Sequence, residues 1–459
     1  MIFLKYCLIS FTLILTLNIT VFSQNQDNKI CEIDNHLTSV FSEDSPGCQV
    51  LIKKGGRILL NKSYGLADIE SGSILTDDYS MPIGSLTKQF TAMAVYILEQ
   101  ENLLNINDPI SKYIPEASNL KAITIHQLLT HTSGIIDYFK IDEWREDLST
   151  DLTPIETLGM ILREDLEFLP GTSSSYSNSG YHILGIIIEK VSGKPLNEFI
   201  RENIVNPLKM ENTFFIEDKN NQHLIANGYE YRNGELVEPV EVSKSRFFAG
   251  GSMITNVSDL SKWDDALYTE ILVNQSELRK YFSPFVTLQG DTLTYASGWE
   301  CIGADNKIYG HGGGINGYVC QVYRVPSQKI FVAVLTNSIK RNNYYSPSKI
   351  AQQILDQIMD QEDIKNNPTH FVSDEVLQKY NGKYTLSNNS IRTIKYSKGK
   401  IYFVQSNGEE YELYPVSDTQ FKAGRGSTFE FIISKEGVVE SFKLFTGRGK
   451  PIVAKKINN

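Results

Sequence analysis

A helical apolar period begins directly after Ser85. The residues of this stripe recur at intervals of three or four: Leu86, Phe90, Met93, Ala94, Ile97 and Leu98. This spacing predicts a helix with a buried face and places Ser85 at its N-terminus. A second apolar helix is predicted over Tyr181–Val191, which ends at a Ser-Gly stop.

Near the C-terminus, apolar residues recur at every second position instead of every third or fourth. Before that change, Lys329–Leu335 is almost continuously apolar and predicts a buried central strand. Apolar and polar residues then alternate in four short stretches, 399–404, 411–414, 428–433 and 438–445. Turn sequences such as Ser-Asn-Gly separate these stretches. This pattern predicts about eight short antiparallel strands, and hence a small barrel or sandwich.

The N-terminus is typical of an export signal. Lys5 is the only charge before Asp27, and the apolar run 8–17 is followed by Val-Phe-Ser. We therefore predict a signal peptide over 1–23, cleaved after Ser23, and a periplasmic or secreted protein. A retained membrane anchor is the alternative, but the run is short and contains serine, threonine and asparagine. No stable membrane span is expected after cleavage.

The patterns divide the chain into four parts. After the signal peptide, we expect a mixed domain of helices and strands over 24–362, a polar linker over 363–373 and a small antiparallel β-barrel over 374–459. The barrel region carries 14 Lys/Arg against nine Asp/Glu. This basic region can favour an anionic polymer or a membrane surface, or it can simply be a solvated face or attract the acidic domain.

Composition excludes several kinds of partner and cofactor. The chain has 459 residues, with Lys+Arg 44 against Asp+Glu 54, and its net charge of -10 argues against nucleic acid as a partner. No Cys-x-x-Cys or His-Glu-x-x-His pattern occurs, and nothing requires a metal or an organic cofactor. Four cysteines follow the signal peptide: Cys31, Cys48, Cys301 and Cys320. Either Cys31 and Cys48 form a local disulfide, or all four are buried thiols.

The first candidate for chemistry is Gly84-Ser85-Leu86-Thr87-Lys88. Positions i and i+3 share one face of a helix, so the Ser85 hydroxyl can lie beside the Lys88 amine. A lysine kept neutral by burial can take the serine proton and make it a nucleophile. By itself the pattern also fits an ordinary serine cap followed by a lysine facing solvent.

Two further motifs follow in order. Tyr176 and Asn178 lie in a turn-rich stretch, and an extended backbone would point both side chains the same way. A phenol near a lysine can pass a proton to a leaving group, and an amide can hold a substrate carbonyl or orient the lysine. The third motif is His311 followed by three glycines, which permit close approach to a ligand.

Together these motifs resemble the serine β-lactamase family in its broad sense: class C β-lactamases, D-Ala-D-Ala carboxypeptidases, D-aminopeptidases and related esterases. Other matching stretches are 107–116, 123–135, 249–260 and 310–318. The resemblance covers roughly residues 35–358. It implies an α+β fold, β-lactamase/penicillin-binding-protein-like, with an antiparallel sheet flanked by helices and a helical region. The tail looks like the lipocalin-like barrels of some members.

The resemblance also implies roles. Ser85, Lys88 and Tyr176 match the catalytic residues, whereas Asn178, His311, Gly313 and Gly314 match substrate-binding positions. The Ser85 and Gly314 N–H groups would form the oxyanion hole. The expected function is that of an exported serine hydrolase that acts through a Ser85 acyl-enzyme on peptide, amide or ester substrates, in the manner of a D-peptidase, carboxypeptidase or esterase. The expected partner is a small-molecule or peptide substrate.

One departure bears on the substrate. Resistance-type class C enzymes have Lys-Thr-Gly where this chain has His-Gly-Gly, so efficient β-lactam hydrolysis is not expected. A β-lactamase and a non-catalytic penicillin or peptide sensor are the alternative functions. His126 and His131 are interpreted as structural, and the oligomeric state stays open.

Overall fold

The structure is a computed structural model. It describes these residues: 26–120, 122–218, 224–232, 235–302, 308–339, 346–359, 374–386, 390–397, 400–415, 419–423, 427–434, 437–445 and 451–457. The predicted signal peptide and the predicted linker lie outside the described residues. Within the described part of the chain, no helix has the length and apolar character needed to cross a membrane.

The helices have these bounds: α1 26–40, α2 Thr87–Gln100, α3 Ile125–Leu129, α4 Asp142–Arg145, α5 Pro154–Leu162, α6 Asn178–Ser192, α7 Leu196–Ile200, α8 Phe248–Gly251, α9 Val257–Ala266, α10 Gln275–Tyr281, α11 Pro347–Ile358 and α12 Asp374–Tyr380. The first fifteen strands are β1 Cys48–Lys54, β2 Arg57–Tyr64, β3 Leu66–Asp68, β4 Ser73–Ile74, β5 Tyr79–Pro82, β6 Phe214–Phe215, β7 Leu224–Ile225, β8 Tyr229–Arg232, β9 Glu235–Val237, β10 Met253–Thr255, β11 Glu300–Ile302, β12 Ile308–Ile315, β13 Tyr318–Val325, β14 Ile330–Thr336 and β15 Ser338–Ile339. The last eight are β16 Gly382–Leu386, β17 Ile391–Ser397, β18 Lys400–Val404, β19 Glu410–Pro415, β20 Gln420–Ala423, β21 Thr428–Ile433, β22 Val439–Phe445 and β23 Ile452–Lys456.

The main sheet is antiparallel and six-stranded, in the order β11-β12-β13-β14-β1-β2. Its central strand β14 is buried on both faces, which explains the continuous apolar run in the sequence. Phe331, Ala333 and Leu335 face one hydrophobic core with helices α2 and α6, whereas Val332 and Val334 face a second core with α11. The predicted α+β fold with helices on both faces of an antiparallel sheet is confirmed.

Helix α2 forms where the apolar stripe predicted it, and it is buried on more than one face. All its residues from Thr87 to Leu98 are buried, because the helix lies in the middle of the larger core. Helix α6 ends as predicted at Gly193, whose φ of 69° suits the left-handed C-terminal position. It starts three residues before the predicted Tyr181, because Ser177 caps it by accepting a hydrogen bond from the Gly180 N–H.

The C-terminal strands form a closed barrel of eight strands, β16 to β23, as the alternating pattern predicted. Strand β23 pairs with β16 and closes the ring. Buried aromatic side chains pack inside it, and Tyr380 at the end of α12 stacks on Phe431 with ring centroids 4.1 Å apart. This packed interior fits a small barrel stabilised mainly by its own aromatic core.

The four cysteines among the described residues are free thiols. Cys48, Cys301 and Cys320 are buried, whereas Cys31 is exposed on α1. The predicted local disulfide between Cys31 and Cys48 does not form here. The alternative of four buried thiols holds for three of them, because Cys31 lies on the solvent side of its helix.

Candidate active site

Ser85 lies in a single 3-10 turn, Gly84–Leu86, that leads directly into α2. Gly84 has a φ of +49°, and a Cβ built on it would lie 2.7 Å from the Gly314 carbonyl oxygen. A side chain there would be strained and would also clash with β12. Glycine at this position therefore lets the Ser85 turn pack directly on the backbone of the third motif.

Lys88 lies one turn further along α2 and is fully buried. Its Nζ is 3.1 Å from Ser85 Oγ, 2.7 Å from Asn178 Oδ1 and 2.9 Å from the carbonyl oxygen of Gly250. Burial lowers the pKa of Lys88 from its ordinary value to about 7, while the charge of Asp137 acts in the opposite direction. At neutral pH a large share of this lysine is therefore an uncharged amine.

These three contacts match what an uncharged amine can offer. The Gly250 carbonyl and the Asn178 amide oxygen only accept hydrogen bonds, so they take the two N–H groups. Ser85 Oγ lies 3.1 Å from the same nitrogen, so the remaining lone pair of an uncharged amine can accept the hydroxyl proton. The geometry suits transfer of the serine proton to Lys88.

Asp137 fixes the direction of the Asn178 amide. Its Oδ2 accepts hydrogen bonds from Asn178 Nδ2 at 2.9 Å and from the Asn178 backbone N–H at 3.2 Å. The amide nitrogen therefore faces Asp137 and the amide oxygen faces Lys88. Of the two roles expected for Asn178, this position favours orienting the lysine over holding a substrate carbonyl.

Tyr176 stands on the other side of the nucleophile. Its hydroxyl hydrogen-bonds the Ser85 side chain, and Lys88 Nζ lies 5.0 Å from its ring centroid. Desolvation raises the pKa of Tyr176 above its ordinary value, the bond to Ser85 lowers it, and the charges of Asp137 and Glu300 raise it further. The phenol is therefore protonated at neutral pH and can give a proton to a departing group.

The third motif lies on strand β12. A Cβ on Gly313 would fall 1.9 Å from the carbonyl oxygen of Ile83, so this glycine lets β12 lie against the segment before Ser85. Gly314, next along the strand, is exposed and has open space around it. His311 is buried, and Tyr295 OH lies 2.9 Å from its Nε2.

The structure thus brings all seven predicted site residues into one region between the sheet and the helices. The second motif differs from its expected conformation. Asn178 begins α6 and does not continue an extended stretch from Tyr176. His126 packs near Phe285. His131 packs against the site, since its ring centroid lies 4.3 Å from that of Tyr176. Burial lowers the pKa of His131 well below its ordinary value, so it stays neutral.

The sequence analysis did not predict three groups that contact the site residues: the Asp137 carboxylate, the Gly250 carbonyl and the Tyr295 hydroxyl. Asp137 lies two residues after a stretch that was noted only for its resemblance, and Gly250 lies inside another. The paired glycines at 250 and 251 are a weak indication of close backbone approach. Tyr295 lies in an irregular segment and carries no pattern that would have singled it out.

Known proteins are similar to the chain over most of its length. A family profile described as Beta-lactamase matches residues 30–353. Penicillin-binding protein 4* of Bacillus subtilis (strain 168) is 27% identical over 393 residues, which cover 81% of this chain and 86% of that protein. The similarity to this relative extends over most of both chains.

Solved structures of related proteins are also similar to this chain. The octameric penicillin-binding protein homologue from Pyrococcus abyssi has a TM-score of 0.60 and 25% identity, covering 93% of this chain and 99% of that one. D-amino acid amidase from Ochrobactrum anthropi SV3 has a TM-score of 0.61 at 23% identity, covering 75% and 99%. The second likeness shows a shared fold.

Proposed function

Because the chain belongs to the β-lactamase family, we propose that it is an exported serine hydrolase that forms an acyl-enzyme on Ser85 with peptide, amide or ester substrates. The observation that carries this proposal is the position of the buried Lys88 amine, 3.1 Å from Ser85 Oγ. Its other two partners, Asn178 Oδ1 and the Gly250 carbonyl oxygen, can only accept hydrogen bonds, so an uncharged amine has its lone pair left for the Ser85 hydroxyl. That is the arrangement a serine nucleophile needs.

Acylation follows from this geometry. Lys88 takes the proton as Ser85 Oγ attacks the substrate carbonyl carbon, and the carbonyl oxygen becomes an oxyanion. The N–H groups of Ser85 and Gly314 are the proposed donors to it, and Gly84 keeps the two backbones close enough for this.

Tyr176 is the proposed proton donor to the leaving group. Its hydroxyl contacts Ser85 and its ring lies beside Lys88, so a proton taken by Lys88 can be passed through this phenol. The bond to the leaving group breaks as the carbonyl re-forms. Water then attacks the ester on Ser85 by the reverse use of the same groups, which releases the acid product.

The acid limb of the pH–rate profile tests the state of Lys88. We expect kcat/KM for a neutral ester to rise about tenfold per pH unit below neutrality and to level off above it, with a midpoint near 7, because burial lowers the pKa of Lys88 to about 7 and only the uncharged amine accepts a proton. The profile is measured between pH 5 and 10. A midpoint near 10, where an ordinary lysine titrates, would contradict the proposed base.

A variant that removes the charge of Asp137 predicts the direction in which the midpoint of the pH–rate profile moves. The negative charge of Asp137 raises the pKa of Lys88, so Asp137→Asn should move the midpoint to lower pH. Asp142→Asn is the control, since Asp142 is an exposed residue of α4 that pairs with Arg145. Equal shifts in both variants would mean that the limb does not report Lys88.

The name of one relative, penicillin-binding protein 4*, supports a second candidate activity: acylation by penicillin. We expect incubation with benzylpenicillin to add the mass of the intact drug to the peptide that contains Ser85. The adduct should persist, because this chain has His-Gly-Gly at the third motif. Intact-mass spectrometry measures the adduct, and Ser85→Ala should remain unmodified.

The outcomes of that incubation separate the alternatives. Rapid loss of the drug with little adduct would favour a β-lactamase. A stable adduct without turnover of any ester or amide would favour a penicillin or peptide sensor. If no adduct forms and no ester is hydrolysed, the proposed nucleophile is overturned.

A further inference from the structure

Helix α8 is a single turn that presents two backbone carbonyls to α2. The Gly250 carbonyl oxygen accepts a hydrogen bond from Lys88 Nζ at 2.9 Å, and the Ala249 carbonyl oxygen accepts one from Thr91 Oγ1 at 2.7 Å. Lys88 and Thr91 are three residues apart and therefore share one face of α2. The direction of α8 thus decides where the proposed base finds one of its acceptors.

The backbone changes direction at the first residue of α8. Phe248 has a φ of +33°, in the left-handed region that residues with a side chain rarely adopt. It joins α8 to the preceding 3-10 turn, Lys244–Arg246, with only Phe247 between them. A backbone held in such a region costs about 1–3 kcal/mol and persists only where the surrounding contacts hold it.

The contacts of Arg246 fix the chain before this joint. Arg246 is buried, and its guanidinium donates hydrogen bonds to the carbonyl oxygens of Trp144 at 2.6 Å and Thr150 at 2.8 Å. These bonds hold the 3-10 turn to the segment 144–150. The change of direction between the turn and α8 therefore falls on Phe248.

The ring of Phe248 fixes the chain after the joint, because it packs on α6. A Cβ built on Gly185 of α6 would lie 2.5 Å from Phe248 Cε1 and 2.5 Å from Ala249 Cβ, so a glycine is needed for this close approach. Helix α6 also begins with Asn178, whose Oδ1 is the other acceptor of the Lys88 amine. The contact between Phe248 and α6 therefore sets the two acceptors relative to each other.

We propose that Phe248 is a positioning residue for catalysis. Its ring, packed on Gly185, holds the left-handed backbone, and that backbone directs the Gly250 carbonyl at Lys88. This inference rests on the proposed function of Lys88 as the base for Ser85. When the ring is removed, a residue that still has a Cβ relaxes towards negative φ, and the Gly250 carbonyl turns away from the amine.

Two substitutions at one position test this role. Phe248→Ala removes the ring but keeps a Cβ that disfavours a positive φ, whereas Phe248→Gly removes the same ring and adopts that φ freely. We expect kcat/KM for p-nitrophenyl acetate to fall at least about tenfold in the alanine variant, the scale of one lost hydrogen bond, and to recover at least about threefold from that level in the glycine variant. A role limited to helix stability predicts the opposite order, because alanine favours a helix over glycine.

The rates are measured well below the unfolding temperature of each variant, so that they refer to folded protein. A folded Phe248→Ala protein that is as active as the unsubstituted chain, or at least as active as Phe248→Gly, would overturn the inference. If the unsubstituted chain itself shows no Ser85-dependent turnover of the ester, the proposed function fails instead.

Gly185→Ala tests the same contact from the side of α6. The added methyl group would overlap the Phe248 ring, so α8 must move, and we expect kcat/KM to fall at least about tenfold. Gly159→Ala is the matched control, because its methyl group would lie at an open position of α5, 3.9 Å from Arg163 Nη1. A folded Gly185→Ala protein with the same rates as Gly159→Ala would exclude this contact as the origin of the carbonyl position.

Discussion

Replacing Ser85 with alanine is expected to lower kcat for ester and amide hydrolysis by at least about 10⁴-fold, the scale seen when an activated nucleophile is removed. Lys88 keeps its contacts with Asn178 and Gly250 in this variant, so the site around it should stay assembled. The residual rate would be that of a pocket that binds substrate without attacking it. Initial rates with a nitrophenyl ester measure the loss directly.

The fold should survive this change. Ser85 is half-buried, and alanine fits any turn that serine adopts, so we expect the free energy of unfolding to change by less than about 1 kcal/mol. Ser39→Ala, on the exposed face of α1, is the matched control and should keep full activity. Activity retained by a correctly folded Ser85→Ala protein would refute the nucleophile.

Replacing Gly313 with alanine is expected to give the second large loss. The added methyl group would fall 1.9 Å from the Ile83 carbonyl oxygen and 2.8 Å from Cys320 Sγ, so β12 must move away from the Ser85 turn. That movement separates the two proposed oxyanion donors. We expect kcat/KM to fall at least about 100-fold, together with overpacking that destabilises the fold by about 1–3 kcal/mol.

Two comparison variants isolate the cause. Gly314→Ala changes the next residue of the same strand, where a methyl group meets nothing within 4 Å, and we expect a much smaller loss. Gly159→Ala in α5 reports the general effect of the substitution at an open helical position. Rates and thermal unfolding are measured together. If Gly313→Ala and Gly314→Ala behave alike, close packing of β12 is not what positions the donors.

Periodicity was sufficient to predict individual elements of the scaffold, whereas the resemblance to the β-lactamase family implied the fold as a whole. The apolar stripe after Ser85 gave the position of α2, the continuous run before Leu335 gave β14, and two-residue alternation gave the strands of the barrel. These predictions succeed because each element buries residues at its own repeat, and the repeat is visible in one stretch of sequence. Ser85 and Lys88 could be paired for the same reason, since one helical turn brings them together.

The supporting contacts could not be predicted in this way. Asp137 meets Asn178 and Tyr295 meets His311 because separate irregular segments converge in space. No repeat connects such residues along the chain. The start of α6 was also misplaced, because the serine-rich segment before it has the composition of a turn until Ser177 is seen to cap the helix.

Strand β1 pairs with β14, and Cys48 lies opposite Thr336. The main sheet therefore joins the beginning of the chain to a segment synthesised long after it. A growing polypeptide that has released Ser85 and Lys88 from the ribosome still has no β12 or β14 against which their turn can pack. Hydrolytic competence would thus appear late in biosynthesis, when the strands that complete the sheet have emerged, and N-terminal fragments that end before them would be inert.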